Sequence, residues 1–312
     1  MELWLALILF AVGLALLVKG GDWFVDAAGQ LARAMGMPPF IVGATIVSLA
    51  TTMPELIVSV MAAMAGKTDM AVGNAVGSVT ANTAMIMALS MLFLPVAMPR
   101  RDYAVPCLLL VGAAGALHLG TRNGYLTFWG DIVLIIIFAA FIHQNIAVAR
   151  THRQELADDD AEPIYIVKNV GMFLLGAVGI VGGSRLLVTG GSAVAEALGV
   201  PERVIAVTMV AIGTSLPELV TAITAIRKKE AALSVGNIIG ANIIDLSLIL
   251  PLCSATSGRL LPVAASSMRL DMPMCLFVTA LAIAPALLRQ KAGKLQGAAL
   301  LFVYGWYVLT II

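Results

Sequence analysis

Apolar runs of about 20 residues recur along the whole chain, each long enough to cross the hydrocarbon core of a bilayer. Only 12% of the residues are charged and 60% are hydrophobic, against roughly 25% charged in an ordinary soluble domain. The pattern predicts an all-α polytopic membrane protein. The N-terminal run lacks a positive leading region and exceeds the ~7–15 apolar residues of a signal peptide, so it is expected to be the first span. A formal net charge of +1 leaves no basic footprint for a nucleic-acid partner. Cys107, Cys253 and Cys275 are scattered and show no CxxC spacing, which excludes a disulfide framework. His118, His143 and His152 show no ligand spacing either.

Hydropathy and helix breakers suggest ten spans. The first five cover 3–32, 38–64, 69–94, 103–119 and 125–148, and the second five 164–196, 201–226, 231–256, 270–288 and 295–312. The expected organisation is a five-helix unit over 1–148, an acidic linker over 149–163 and a second five-helix unit over 164–312. Lys and Arg are retained in short cytoplasmic loops. One alternating set of loops holds 12 of them and the other holds 5, with Lys19 and Arg185 inside spans. The richer set includes Arg33, Arg100, Arg150, Arg227 and Lys291. Its loops, and the linker with them, are therefore expected to face the cytoplasm, which leaves both termini outside.

Two segments repeat. Thr51 aligns with Thr214, an offset of 163 positions that also pairs Gly36 with Gly199, Pro38 with Pro201 and Thr45 with Thr208. Pro54 then meets Pro217, Glu55 meets Glu218, Gly73 meets Gly236, Asn74 meets Asn237 and Gly77 meets Gly240. No gap is needed. Chance likeness between apolar helices would match Leu, Val and Ala rather than Gly, Pro, Asn and Glu. Five spans per half force the second half to insert upside down. Inverted repeats of this kind build secondary transporters, whose sites lie near the membrane midplane between the repeats.

The repeated phrases, "ATTMPELIVS" (Ala50 to Ser59) and "GTSLPELVTA" (Gly213 to Ala222), carry specific chemistry. A carboxylate at bilayer depth costs about 2.5–3.5 kcal/mol on insertion scales, so it marks a function. Pro54 and Pro217 lack an N–H, which leaves the carbonyls of Ala50 and Gly213 without helical partners. Thr51, Thr52, Thr214 and Ser215 add hydroxyl oxygens on the same turn. Hard oxygens in this number suit Ca²⁺, which takes 6–8 of them, and the neutral ones suit Na⁺. "GNAVGSVTANT" and "GNIIGANIIDL" both open Gly-Asn-x-x-Gly, a spacing of small residues that lets helices approach closely. Asn82 and Asp245 hold one repeat position, and Asp245 is a third intramembrane carboxylate. A lone proline is a kink, a lone GxxxG is packing, and a lone buried Glu can be a helix–helix pair. The same constellation twice at one offset points to a site. Asp22, Asp26, Asp102 and Asp131 read instead as interfacial, paired or early-turn anions, and Lys19 and Arg185 as snorkelling side chains.

These motifs resemble those of the calcium/cation antiporters, which include the prokaryotic sodium/calcium exchangers. The resemblance spans both repeats. It implies ten helices in two inverted repeats with helices 2 and 7 broken, and Ca²⁺ held by Glu55 and Glu218 with Thr51 and Thr214. It further implies Na⁺ or shared positions at Thr52, Ser215, Ser78, Asn82 and Asp245, and at carbonyls near Ser48 and Ala211. The long first and sixth spans would slide against the other eight. A location in a prokaryotic cell (inner) membrane follows from the same likeness. The chain departs from the family pattern at Thr52-Met53, where Ser-Leu is commoner. It departs again at Ser48, where Ala is frequent, at "SVTAN" after Gly77, and at Ala241, which replaces a serine.

The expected function is a secondary antiporter that expels Ca²⁺ in exchange for inward Na⁺ within the lipid bilayer. Both ions are cargo, and no resident cofactor is expected. A proton/calcium exchanger is a rival, since carboxylates in an apolar cavity can carry protons, and Asp245 leaves K⁺ co-transport open. A cation channel could use a similar oxygen ring, though the repeat favours a carrier. An intramembrane enzyme is disfavoured, because neither HExxH nor GxSxG occurs and no histidine lies in either motif.

Overall fold

The computed structural model describes residues 2–155, 166–199, 213–258 and 260–311. Helices dominate: α1 Leu3–Ala34, α2 Pro39–Thr51, α3 Met53–Met64, α4 Thr68–Phe93, α5 Arg100–Gly120 and α6 Phe128–Glu155 form the first half. The second half has α7 Ile166–Ala197, α8 Leu216–Arg227, α9 Ala231–Thr256, α10 Ser267–Arg289 and α11 Lys294–Ile311. Among the described residues eight helices are long and apolar enough to span a membrane, and the bent pair α2–α3 makes a ninth. The tenth expected span, 201–226, is described only in its second part, as α8.

Span edges fall within a few residues of the hydropathy reading, with one clear correction. The helix expected to end at residue 148 continues to Glu155, so the first residues of the expected linker are helical. Ala149 to Glu155 holds good helix formers and neither Gly nor Pro to stop it. His152 on the added turn also lies 3.4 Å from Asp102 at the start of α5, which ties the extension down.

Burial sorts the helices. α4 and α9 are the most enclosed, and α9 is buried at every residue from Leu233 to Ile244. α1, α6, α7 and α11 present Leu, Ile, Val, Phe and Trp outward, as expected of helices whose solvent is lipid. α6 packs on α9, and α11 packs on α4. Two short antiparallel pairs join the halves at the loops: β1 (Val96–Ala97) with β4 (Lys291–Ala292), and β2 (Tyr125–Leu126) with β3 (Leu261–Pro262). The first pair joins two loops of the Lys/Arg-rich set and the second joins two loops of the poorer set. Arg100 reinforces the first by donating to the carbonyls of Leu287 and Leu288 at 3.1 and 3.2 Å.

α1 and α7 are each 32 residues long and pack along most of their length. Glycines make this approach possible. A Cβ on Gly13 would lie 2.5 Å from the Leu187 nitrogen, and one on Gly176 would lie 2.7 Å from the Phe24 nitrogen. Phe24 and Phe173 stack beside this seam with centroids 4.4 Å apart.

Candidate ion-binding site

α2 and α3 meet at a bend of 47°. Thr52 lies at the bend with φ −83° and ψ 0°, and Pro54 opens α3. Ser215, its equivalent, has φ −86° and ψ 6° before Pro217 opens α8. The break in the first half is one residue wide. The Thr52 amide still donates to the Ser48 carbonyl at 2.9 Å, and the Leu56 amide to Thr52 at 3.0 Å. The Ala50 carbonyl loses its partner one turn on, because Pro54 has no N–H. Each motif glutamate therefore sits in the first turn of a helix, where the helix dipole favours an anion.

The two motifs meet. Glu55, Glu218 and Asp245 are all fully buried. The Ser215 hydroxyl lies 3.3 Å from Glu55 Oε1, and the Thr52 hydroxyl lies 3.4 Å from Glu218 Oε1. Thr51 donates to Asn237 Oδ1 at 3.1 Å, and Thr214 donates to Asn74 Oδ1 at 3.3 Å. Each of these four contacts has its counterpart at the 163-residue offset. That reciprocity is what two similar segments facing across a pseudo-two-fold axis produce.

α4 and α9 close the site from the other side. Both relax into a wider π-helical turn, over Asn82–Met87 in α4 and Asp245–Ile249 in α9, a distortion often found at functional positions. The turns begin on Asn82 and Asp245, the one repeat position where an amide replaces a carboxylate. Glu55 lies within Coulombic range of Glu218 and Asp245. Glu55 Oε2, Glu218 Oε2, both Asp245 oxygens and both ends of the Asn82 amide have no hydrogen-bond partner among the described residues. Buried carboxylate oxygens without donors are costly unless a cation meets them. Among the described residues no three His, Cys, Asp or Glu side chains form a metal-chelating group by themselves. A cation here would draw on hydroxyl, amide and carbonyl oxygens as well, in keeping with the 6–8 oxygens Ca²⁺ takes. Ser78 supplies one such hydroxyl, 3.3 Å from Ser215 Oγ, whereas Ala241 opposite supplies none.

The remaining expected positions fare differently. The Ser48 carbonyl accepts from the Thr52 amide and lies 3.4 Å from the Thr51 hydroxyl as an alternative acceptor to Asn237, so it is engaged within its own helix while retaining lone-pair capacity. Ala211 lies outside the described residues. Gly236 and Gly240 do bring α9 against α2, since a Cβ on either would lie 2.2 Å from the Phe40 carbonyl or 2.4 Å from that of Ala44. The equivalents of those partners for Gly73 and Gly77 are Arg203 and Val207, outside the described residues.

Asn74 and Asn237 were not expected among the site residues, yet they bind the motif threonines. Their signal was present in the sequence: both are identical in the two Gly-Asn-x-x-Gly segments. Asp22 and Asp26 pair with Lys228 at 3.8 and 2.6 Å, as interfacial anions would. Asp131, in the first turn of α6, accepts from Ser254 at 2.7 Å.

Comparison with known proteins agrees with this geometry. The family model for the sodium/calcium exchanger protein matches residues 5–146 and 168–312. The inner membrane protein YrbG of Escherichia coli is 33% identical, the match covering 84% of this chain and 83% of that protein. The sodium/calcium exchanger MaX1 of Methanosarcina acetivorans is 29% identical over 84% and 85% of the two chains. The solved structure of the sodium–calcium exchanger NCX_Mj soaked with 2.5 mM Na⁺ and 10 mM Sr²⁺ superposes with a TM-score of 0.83 at 27% identity, covering 99% of each chain. With a family match over nearly its whole length and a shared all-helical membrane fold, the chain belongs to the sodium/calcium exchanger family.

Proposed function

We propose that the protein is a secondary active antiporter that exchanges Ca²⁺ for Na⁺ by alternating access. The observation that carries this reading is the reciprocal pair Thr52–Glu218 and Ser215–Glu55, in which each glutamate's second oxygen has no partner among the described residues. Glu55 and Glu218 would bridge one Ca²⁺, with Thr51 and Thr214 as further ligands. Thr52, Ser215, Ser78, Asn82, Asp245 and carbonyls near Ser48 and Ala211 would serve Na⁺ or both ions. Overlapping oxygens make the two loads compete, and competition for one site makes exchange obligatory. Ca²⁺ and Na⁺ are cargo in this scheme, and no resident cofactor takes part.

The same reading includes ten helices in two inverted repeats, 1–148 and 164–312, joined by a linker over 149–163. Support comes from the reciprocal contacts at the site and from strand pairs that join the halves at both sets of loops. The cationic loops of Arg33 and Arg227–Lys229 come together around α1, where Arg33 meets Glu230 at 3.7 Å. The charge rule puts these loops in the cytoplasm and both termini outside, in the cell (inner) membrane of a prokaryote. α1 and α7, joined by their glycine seam, form the natural pair to slide against the rest.

Replacing Glu55 or Glu218 by Gln keeps the shape and removes the charge. Radiolabelled Ca²⁺ uptake into proteoliposomes under an imposed Na⁺ gradient should then fall to background, and near-wild-type uptake in either variant would sink the assignment. One observation favours a second reading. Three buried carboxylates against one divalent ion leave a negative charge over, which H⁺ or K⁺ could balance. Uptake driven as well by a pH gradient without Na⁺, or lost on removing K⁺, would select it.

A further inference from the structure

The two halves hold the asparagine behind each motif threonine differently. Asn74 is fixed from three directions. Its Nδ2 donates to Ser59 Oγ at 2.9 Å and to the Glu55 carbonyl at 3.3 Å, while its Oδ1 accepts from Thr214 at 3.3 Å. A backbone carbonyl can only accept, so the Glu55 carbonyl dictates which end of the amide faces it. Oδ1 is thereby turned to Thr214 and takes that hydroxyl's single proton. What Thr214 has left for the cavity is lone pairs.

Asn237 has no such anchor. It is fully buried and its Oδ1 accepts from Thr51 at 3.1 Å, but its Nδ2 has no partner among the described residues. Ala222 stands where the first half has Ser59, and Nδ2 makes no bond to the Glu218 carbonyl, the counterpart of the Glu55 carbonyl, so neither acceptor that holds Asn74 holds Asn237. A half-turn of the amide leaves one end unpartnered just as before, and so costs little. It would present Nδ2 to Thr51, whose proton can then go to the Ser48 carbonyl at 3.4 Å.

We propose that Asn74 and Asn237 are positioning residues that set the polarity of the threonine hydroxyls, and that the Ser59/Ala222 difference makes Thr214 a permanent cation acceptor and Thr51 a switchable one. This rests on the cation-exchange reading. The consequence is a site with one rigid and one adaptable half. With Asn237 one way round, Thr51 adds an oxygen to a cation that wants many. With the amide reversed, a lone pair of Thr51 is taken by Nδ2 and the cation set shrinks, so Asn237 acts as a specificity determinant between loads of different coordination demand.

The test is Ca²⁺ affinity of purified full-length protein, measured by titration calorimetry, which does not depend on transport. One buried hydrogen bond corresponds to about a fivefold change in affinity. S59A should weaken Ca²⁺ binding about fivefold, S59T should restore it, and A222S should tighten it about fivefold by supplying the missing acceptor. A merely structural serine would not predict tighter binding from a substitution in the opposite half. S59A adds no atoms and cannot clash, so S59A with its threonine rescue stands as a test even where A222S overpacks. Unchanged affinity in S59A, or a loss that S59T does not restore, overturns the inference and leaves the exchange reading intact. Wild-type protein that binds no Ca²⁺ overturns the exchange reading and this one with it.

Discussion

The hydroxyl of Ser215 lies 3.3 Å from Oε1 of Glu55, a residue of the other half of the chain. Thr52 returns the contact to Glu218 at 3.4 Å. Each half therefore steadies the other half's carboxylate. Serine 215 or threonine 52 replaced by alanine should weaken Ca²⁺ binding by about tenfold each, equivalent to about 1.4 kcal/mol. Titration calorimetry on the two single variants checks this, and the Ser215 loss should be at least as large as the Thr52 loss, because Ser215 also meets Ser78 at 3.3 Å.

Asp245 and Asn82 share a repeat position but not a charge, and both Asp245 oxygens lack partners among the described residues. Asp245→Asn makes the second half match the first. Ca²⁺ transport should persist, since Glu55 and Glu218 remain. The Na⁺ concentration for half-maximal exchange should rise by about tenfold, as a charged ligand is lost. Initial rates measured against Na⁺ concentration would show it, and an unchanged Na⁺ dependence would remove Asp245 from the monovalent sites.

Gly240 carries α9 against α2. An added Cβ would lie 2.4 Å from the Ala44 carbonyl and 2.5 Å from Ser48 Oγ. Gly240→Ala should destabilise the protein by about 1–3 kcal/mol through overpacking and push apart the helices that carry Ser48 and Asp245. Gly305, on the exposed side of α11, has nothing within 4 Å of the same position among the described residues. Gly305→Ala should be neutral or slightly stabilising. Thermal melts of the two variants in detergent make the comparison.

Lys228 joins α1 to the turn after α8 through Asp26 at 2.6 Å and Asp22 at 3.8 Å. The partners are partly exposed, so water screens the pair. Lys228→Ala should cost less than about 1 kcal/mol, and less still at high salt. A larger loss that is independent of salt would mean that Lys228 does more than pair with these carboxylates.

Much was legible in the sequence because a bilayer imposes one dominant rule. A span needs about 20 apolar residues, so the helices and most of their ends follow from hydropathy. Glu55 and Glu218 were legible for a related reason: charge at that depth is costly, and its recurrence at one offset with Pro, Thr, Asn and Gly has no packing explanation. The extension of α6 to Glu155 was not legible, since hydropathy marks where a chain leaves the membrane and not where its helix stops. The roles of Asn74 and Asn237 were also hidden, although the residues themselves stood out as identical. A hydrogen bond depends on which side chains face each other over 3 Å, and the bond between Thr51 and Asn237 joins residues 186 positions apart.

By itself, then, the sequence determined a helical membrane protein with two copies of an acidic, proline-broken motif, because periodicity, helix breaking and the cost of buried charge act locally along the chain. Only the tertiary structure decided that the copies meet, that each glutamate takes its hydroxyl from the opposite copy, and that the Asn74 amide is anchored while, among the described residues, that of Asn237 is held at one end only. Those outcomes depend on distances between segments, which packing sets: the close approach of α9 to α2 at Gly236 and Gly240, and the bend at Thr52 that aims Glu55 across to Ser215.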